Sequence, residues 1–246
     1  MKPHAFRLGP KRQIPWLWIY MGIVMLLGAW GYTHYGRGQT GGTTDQLTLK
    51  RTDKAVVTKS LLGQGVAEEG APISAGTTMT TGKSQKTVFQ FGTSGSMRVG
   101  AQTELTFVGS ETTQSGGEKS SFATVDLAKG RLWMVSTGTT RWIVRTSVAV
   151  VRPTGKAVEI NVADNGTCTV VAWQGSAEMS LVKHPDRVVS VGKEQEASFS
   201  ADGTLTNPHP LSLTKDDTWL AWNLLETLGK EIKEKTVPAN GPGGQK

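Results

Sequence analysis

The sequence is poor in the side chains that most often build catalytic and metal sites. Its 246 residues include one cysteine, Cys168, and four histidines, His4, His34, His184 and His209. A single cysteine excludes an internal disulfide framework and a thiolate metal cluster. None of the histidines has a partner at the spacing of metal ligands or of a nucleophile and its base. The sequence therefore predicts no catalytic residue, no metal ligand and no bound cofactor.

A phosphate-binding loop is missing as well. The glycine-rich segment 92–96, GTSGS, lacks the lysine and the following helix of a nucleotide phosphate loop, so a turn between strands explains it better. The sequence His184-Pro185-Asp186 is typical of an exposed turn. A hydrolase would require folding to bring His184 or His209 into a pocket with other histidines or carboxylates, which spacing alone does not reveal.

Positive charge is concentrated at the N-terminus. Of the 27 lysines and arginines, five precede every acidic residue, namely Lys2, Arg7, Lys11, Arg12 and Arg37. Without these five, 22 basic residues face 20 acidic ones, and no basic stripe is interleaved with aromatic residues. The net charge of +7 therefore does not indicate a nucleic-acid partner.

One long apolar run follows this basic segment. Residues 14–32, IPWLWIYMGIVMLLGAWGY, are nineteen residues without a charge, enough for a helix to cross about 30 Å of hydrocarbon. The sequence predicts a transmembrane helix over residues 14–35 in the lipid bilayer. Aromatic anchors for the lipid headgroups are expected at both ends: Trp16, Trp18 and Tyr20 at one end, and Trp30 and Tyr32 at the other.

The charges that flank this run predict its orientation. Four lysines or arginines precede it and only Arg37 closely follows it, which favours a cytoplasmic basic tail at residues 1–13 and an exported C-terminal domain. The alternative is a cleaved signal peptide, since Ala29-Trp30-Gly31 places small residues at the two positions that a signal peptidase inspects. The length of the run and the bulky Trp30 favour an uncleaved anchor.

The remainder is predicted to be all-β, as an antiparallel sandwich or a β-coil. Residues 36–46 are rich in glycine and threonine and are predicted to be a flexible linker. From 47 to 206, short runs of alternating or β-branched residues recur. Turns are predicted at Asp164-Asn165-Gly166 and at Asp202-Gly203. Segment 109–121, GSETTQSGGEKSS, is polar and rich in glycine, and is predicted to be a long exposed loop.

The apolar period changes near the C-terminus. Leu220, Leu224 and Leu228 recur at every fourth position, which predicts one amphipathic helix within residues 207–234. The spacing of Thr214 and Asp217 resembles a capping box at its start. Residues 235–246 are predicted to be a disordered tail.

Five tryptophans beyond the apolar run have two possible roles each. Trp133, Trp142 and Trp173 lie in β runs, where core filling is the usual outcome and an exposed platform for stacking carbohydrate is the alternative. Trp219 and Trp222 lie on the predicted helix. They either dock it on the β domain as a lid or contact a partner or a membrane surface.

Several glycine-punctuated segments resemble the FecR-like domain of bacterial envelope proteins. They are GAPISAGTTMTTG at 70–82, VFQFGTSGSMRVGAQTELTF at 88–107, LAKGRLWMV at 127–135, and a valine-rich region at 144–180. The resemblance covers about 150 residues. It implies a FecR-like β domain at 47–206 and a location at the bacterial inner (cytoplasmic) membrane, with that domain periplasmic or extracellular. Gly155-Lys156 departs from the Gly-Thr usual at that turn.

Two functions follow from this layout. The resemblance implies, for family members that regulate sigma factors, a folded cytoplasmic segment before the membrane span. Residues 1–13 are too few to fold, so we do not infer anti-sigma activity for this protein from the resemblance. The predicted function is a non-catalytic, membrane-tethered FecR-like module that binds an envelope protein or a cell-wall polymer. The alternative is a transmembrane signalling regulator of the FecR type that acts through a separate cytoplasmic partner.

Overall fold

The computed structural model describes residues 45–61, 63–93, 95–115, 118–136, 140–211 and 217–236. The predicted tail and transmembrane helix, with Trp16, Trp18, Tyr20, Trp30 and Tyr32, lie outside the described residues, as does most of the predicted linker. Within the described part of the chain, no helix is both long enough and apolar enough to cross a membrane.

The described residues form seventeen strands and one helix, so the protein is mostly β, as predicted. The helix, α1, spans Thr218–Thr236. The strands are β1 Leu47–Thr52, β2 Val56–Ser60, β3 Gly63–Ala67, β4 Pro72–Ile73, β5 Thr77–Thr80, β6 Thr87–Phe91, β7 Gly95–Val99, β8 Glu104–Ser115, β9 Glu118–Ser136, β10 Thr140–Arg145, β11 Ala149–Pro153, β12 Ala157–Val162, β13 Cys168–Gln174, β14 Ala177–Leu181, β15 Val188–Val191, β16 Gln195–Phe199 and β17 Leu205–Pro210.

The long strand β9 belongs to two sheets. Up to Lys129 it pairs with β8 and β10, and these strands continue into a first sheet with the order β3-β2-β5-β8-β9-β10-β11-β14-β15. From Gly130 onward it pairs with β7 and β12 in a second sheet, β4-β1-β6-β7-β9-β12-β13-β16-β17. The whole network does not close on itself. Of the pairings between described strands, β9 with β10 is parallel and the others are antiparallel.

One hydrophobic core draws on both sheets. In strands such as β6 and β10 alternate residues are buried, because successive side chains of a strand point to opposite faces. Phe89 and Met97 of the second sheet belong to the same cluster as Val125 and Met179 of the first. Trp142 is also in this core, with its ring 5.5 Å from that of Phe91. This tryptophan therefore fills the core.

The prediction of a loop at 109–121 is wrong. The segment forms the outer part of a hairpin in which Gly109 pairs with Thr124 and Ser115 with Glu118. The backbone ladder supplies the hydrogen bonds of a hairpin whatever the side chains are. Because residues 111–113 are exposed, this part of the hairpin needs no apolar side chains, and its polar composition resembles that of a loop.

Both predicted turns are confirmed. Gly166, between β12 and β13, has φ +81°, and Gly203, between β16 and β17, has φ +88°. These are left-handed conformations that favour glycine. The carboxylate of Asp202 accepts hydrogen bonds from the Ser200 hydroxyl and from the Thr204 N–H. These hydrogen bonds lower the pKa of Asp202 to about 2.

Candidate functional site

The outer face of the second sheet, opposite the core, carries charged and aromatic side chains. Met97 and Val99 of β7 point into the core, so Arg98 points outward. Arg98 lies beside Trp133 of β9, and Trp133 lies beside Glu159 of β12. Each of these three residues is at most 5% exposed, because helix α1 covers this part of the face.

Asp217 fixes the start of α1. One of its carboxylate oxygens accepts hydrogen bonds from the N–H groups of Trp219, at 2.9 Å, and Leu220, at 3.2 Å. Asp217 itself is thus the N-cap. Its other oxygen lies 2.7 Å from an Nη atom of Arg131 on β9. Burial acts to raise the pKa of Asp217, but the Arg131 and backbone hydrogen bonds outweigh it and lower that pKa.

Glu159 is the buried partner of the same arginine. Its Oε1 accepts hydrogen bonds from Nε of Arg131, at 2.9 Å, and from an Nη, at 2.6 Å. Its Oε2 accepts a longer one, 3.4 Å, from the indole of Trp173. Burial raises the pKa of Glu159, and the Arg131 and Trp173 contacts oppose this shift only in part. Arg131 therefore joins two carboxylates whose pKa values are shifted in opposite directions.

Arg98 anchors the middle of α1. Its Nη1 donates hydrogen bonds to the backbone oxygen of Asn223, at 2.8 Å, and to side-chain oxygens of Asn223 and Thr227, both at 3.2 Å. Asn223 is fully buried and its amide donates to the backbone oxygen of Trp219. Burial lowers the pKa of the Arg98 guanidinium, partly offset by the charge of Glu226. Polar and charged contacts thus hold the helix in addition to apolar ones.

Both helix tryptophans contact the β domain. Trp219 is 7% exposed, and a Cβ at Gly100 would lie 3.4 Å from its ring. Trp222 is half-buried, with Arg98, Lys86 and Arg51 at 5.8, 5.1 and 6.0 Å from its ring centroid, within cation–π range. Contact of either residue with a separate partner stays a prediction.

Two cavities lie beside Trp173, which is half-buried and stacks on Trp133 at 5.9 Å. The first, of about 250 Å³, contains the Arg131–Glu159–Asp217 cluster. The second, of about 480 Å³, extends between Trp133 and the helix residues Leu224 and Thr227.

The charged residues of this face were not singled out from the sequence. Arg98, Arg131 and Glu159 each lie inside a predicted strand, between or beside apolar residues. Strand alternation places them opposite the core, which usually means exposure to water. Their burial follows from α1, whose docking position the sequence does not specify.

The other residues considered for chemistry are dispersed. Cys168 is fully buried, and burial raises its thiol pKa to about 12. His184 lines a separate cavity of about 330 Å³ with Arg187 and Asp202, and His209 lies on β17. Within the described ranges, no group of three or more His, Cys, Asp or Glu side chains is placed to hold a metal ion.

The FecR protein family model matches residues 77–178, from β5 into β14. Residues 77–178 therefore match the FecR family, and the predicted resemblance is confirmed. No curated protein matches the chain.

Two solved structures of candidate anti-sigma factors from Parabacteroides distasonis are similar to it. One has 14% identity and a TM-score of 0.45, covering 58% of this chain and 63% of the other. The second has 13% identity and a TM-score of 0.45, covering 63% and 74%. This chain thus spans less than two thirds of the length of the first.

Proposed function

We propose that this protein is a non-catalytic signalling regulator of the FecR type. The observation that carries the proposal is the FecR match over residues 77–178. A regulator needs an element whose position can change. Helix α1 fits this need, because three arginines of the sheet, Arg98, Arg131 and Arg51, make side-chain hydrogen bonds to it.

In this proposal, residues 14–35 anchor the protein in the bacterial inner membrane. The basic residues before this segment support a cytoplasmic N-terminus, with the FecR domain periplasmic or extracellular. In this proposal, the basic segment 1–13 contacts a separate cytoplasmic protein. That protein would carry the signal onward.

The test replaces residues 1–13 in the native host with an unrelated sequence that keeps Lys2, Arg7, Lys11 and Arg12 in place. Membrane orientation is then preserved while the contact surface changes. We expect this strain and a strain lacking the whole gene to change the same transcripts. If gene deletion alters transcription and tail replacement does not, the signal does not pass through the tail. If neither strain differs from wild type, the regulator proposal fails.

Orientation has its own test. A periplasm-active reporter fused after Lys246 should be active, and the same fusion to a cytoplasm-active reporter should be silent. The reverse pattern contradicts the proposed topology.

A second candidate function is binding of a cell-wall polymer, favoured by the half-buried Trp173 at the larger cavity. The full-length protein in nanodiscs should co-sediment with purified peptidoglycan sacculi. Nanodiscs that carry an unrelated single-pass protein provide the background. Sedimentation no greater than this background, at low and high salt, would eliminate this candidate.

A further inference from the structure

Each of the two sheets ends in strands that have a neighbour on one side only. Among the described strands these are β3 and β15 in the first sheet and β4 and β17 in the second. The free backbone N–H and C=O groups along such an edge can pair with a further strand. Proteins limit this pairing with very short edge strands, prolines or charged side chains. Three of the four edges carry such protection.

The fourth edge, strand β3, has none of these features. Strand β4 has two residues, one of them Pro72. Strand β17 contains Pro208 and Pro210, which lack a backbone N–H. Strand β15 has four residues and directly follows Arg187. Strand β3, Gly63–Ala67, has five residues, none of which is charged or a proline.

Apolar side chains are exposed around this edge. Leu61, at the turn into β3, is fully exposed, and Val57 of β2 and Val66 of β3 are 40% and 59% exposed. Val57 and Val66 lie directly opposite each other. The next pair, Val56 with Ala67, is buried, so the exposed pair lies on the outer face of the sheet. Exposed apolar side chains beside free backbone groups are typical of an edge that binds another strand.

We propose that two copies of this protein associate by pairing their β3 strands in antiparallel order about a two-fold axis. Such a contact places side chains near their own copies, so a charge on the strand would lie near a like charge. The absence of charge from β3 suits this self-pairing. The register that pairs all five residues is centred on Gly65 and sets Gln64 opposite Val66 of the second copy. The first sheets of the two copies then form one continuous sheet.

This contact is small. It uses five residues of each copy, whereas a standard interface uses about 20–30 a side. We therefore expect weak association in dilute solution, which anchoring in a common bilayer would strengthen through a higher effective concentration. The inference goes beyond the signalling role and does not rest on it. Its test uses purified protein, so its failure would leave the transcription experiment unaffected.

A cysteine scan along β3 tests the pairing. The native Cys168 is fully buried, so an introduced cysteine would be the accessible thiol. Gly65→Cys fits, because a Cβ there would meet only Oγ1 of Thr58, at 3.6 Å. In the proposed register, position 65 faces its own copy at the Cα separation of a disulfide, about 4.4–6.8 Å. Gln64→Cys and Val66→Cys would lie diagonally from their copies, at about 7–8 Å, which is too far.

The purified full-length protein in detergent is oxidised with copper phenanthroline, and the disulfide-linked dimer is measured on a non-reducing gel. We expect Gly65→Cys to cross-link at least about fivefold faster than Gln64→Cys or Val66→Cys. Val188→Cys provides the background, since Val188 is 55% exposed on β15, at the other edge of the same sheet. Thermal unfolding of each variant checks that it folds.

A charged edge should prevent the pairing. Val66→Lys, added to the Gly65→Cys variant, places two like charges beside the axis and should reduce cross-linking to the background. Val188→Lys is the matched control, because the two valines are 59% and 55% exposed, and it should leave cross-linking unchanged. Sedimentation equilibrium of proteins without an added cysteine should show association of the wild type and its loss in Val66→Lys. This second measurement decides the question if Gly65→Cys does not fold.

Four outcomes would overturn the proposal. They are cross-linking of Gly65→Cys no faster than that of Val188→Cys, equal rates at positions 64, 65 and 66, equal effects of Val66→Lys and Val188→Lys, and, in membranes of the native host, cross-linking of Gly65→Cys to a different protein in place of the dimer. The last outcome would assign the β3 edge to that other protein.

Discussion

Gly130 is the residue at which β9 leaves the first sheet and enters the second. It has φ +98°, and a Cβ there would lie 2.5 Å from the Cα of Thr103. Gly130→Ala therefore combines left-handed strain, about 1–2 kcal/mol, with crowding of a backbone atom, about 1–3 kcal/mol. We expect the free energy of unfolding, measured in urea, to fall by about 3 kcal/mol.

Gly76→Ala separates the two causes. Gly76 has φ +79°, but a Cβ there would meet nothing within 4 Å. This variant should lose only about 1–2 kcal/mol. Equal losses in the two variants would contradict the claim that Thr103 makes glycine necessary at position 130.

The carboxylates of Glu159 and Asp217 should respond to pH in opposite directions. Burial raises the pKa of Glu159 above its ordinary 4.5. Between 4.5, the value in the unfolded state, and the raised pKa of the folded state, the folded state keeps a proton that the unfolded state has released. The free energy of unfolding therefore falls as pH rises through this window. The difference in unfolding free energy, wild type minus Glu159→Gln, should therefore be larger near pH 4.5 than at neutral pH.

For Asp217 the sign reverses. Its pKa lies below the ordinary 3.8, so its contribution is present above that value and is lost as pH falls through the lowered pKa. Asp217→Asn keeps a good helix cap. The stability difference between wild type and this variant should shrink in acid, measured by urea titration across pH. A difference that grows in acid would show that the Arg131 contact does not lower this pKa.

At the scale of elements, α1 depends on Arg98. Arg98→Met removes hydrogen bonds from a charged donor to Asn223 and Thr227, worth about 2 kcal/mol or more. We expect faster hydrogen exchange of the α1 amides, and a smaller acceleration, set by the loss of global stability, in the strands of the first sheet. Arg51→Met is the matched control.

The control arginine also reaches the helix, through Glu226 at 2.9 Å, but the two side chains are 52% and 32% exposed. Such pairs contribute about 0–1 kcal/mol. Equal exchange in both variants would mean that Arg98 does not anchor the helix.

The sequence predicts some elements better than others for physical reasons. The turns at Gly166 and Gly203 follow from local chemistry, and both are present. The hairpin at 109–121 depends on backbone pairing between polar strands, which leaves no apolar period to detect. The Arg131–Glu159–Asp217 cluster joins residues up to 86 positions apart. No pattern of neighbouring residues in the sequence predicts such a contact.

At the scale of the whole molecule, the shared strand makes the two sheets one cooperative unit. Separating either sheet from the other requires β9 to give up pairings on one side of Gly130, and the common core to open. We expect a single unfolding transition, with the same midpoint for Trp142 in the first sheet and Trp173 in the second. Single-tryptophan variants monitored by fluorescence would measure both midpoints. Separate midpoints would contradict this expectation.

This coupling has a consequence for ligand linkage. A compound that binds under α1 contacts the helix and the second sheet but not the first sheet, yet it stabilises the folded state as a whole. Strands such as β11 and β14, in the other sheet, should then exchange their amide hydrogens more slowly when the cavity is filled. Binding of a compound at the second sheet would then be detected as slower hydrogen exchange in the first sheet, without any conformational change.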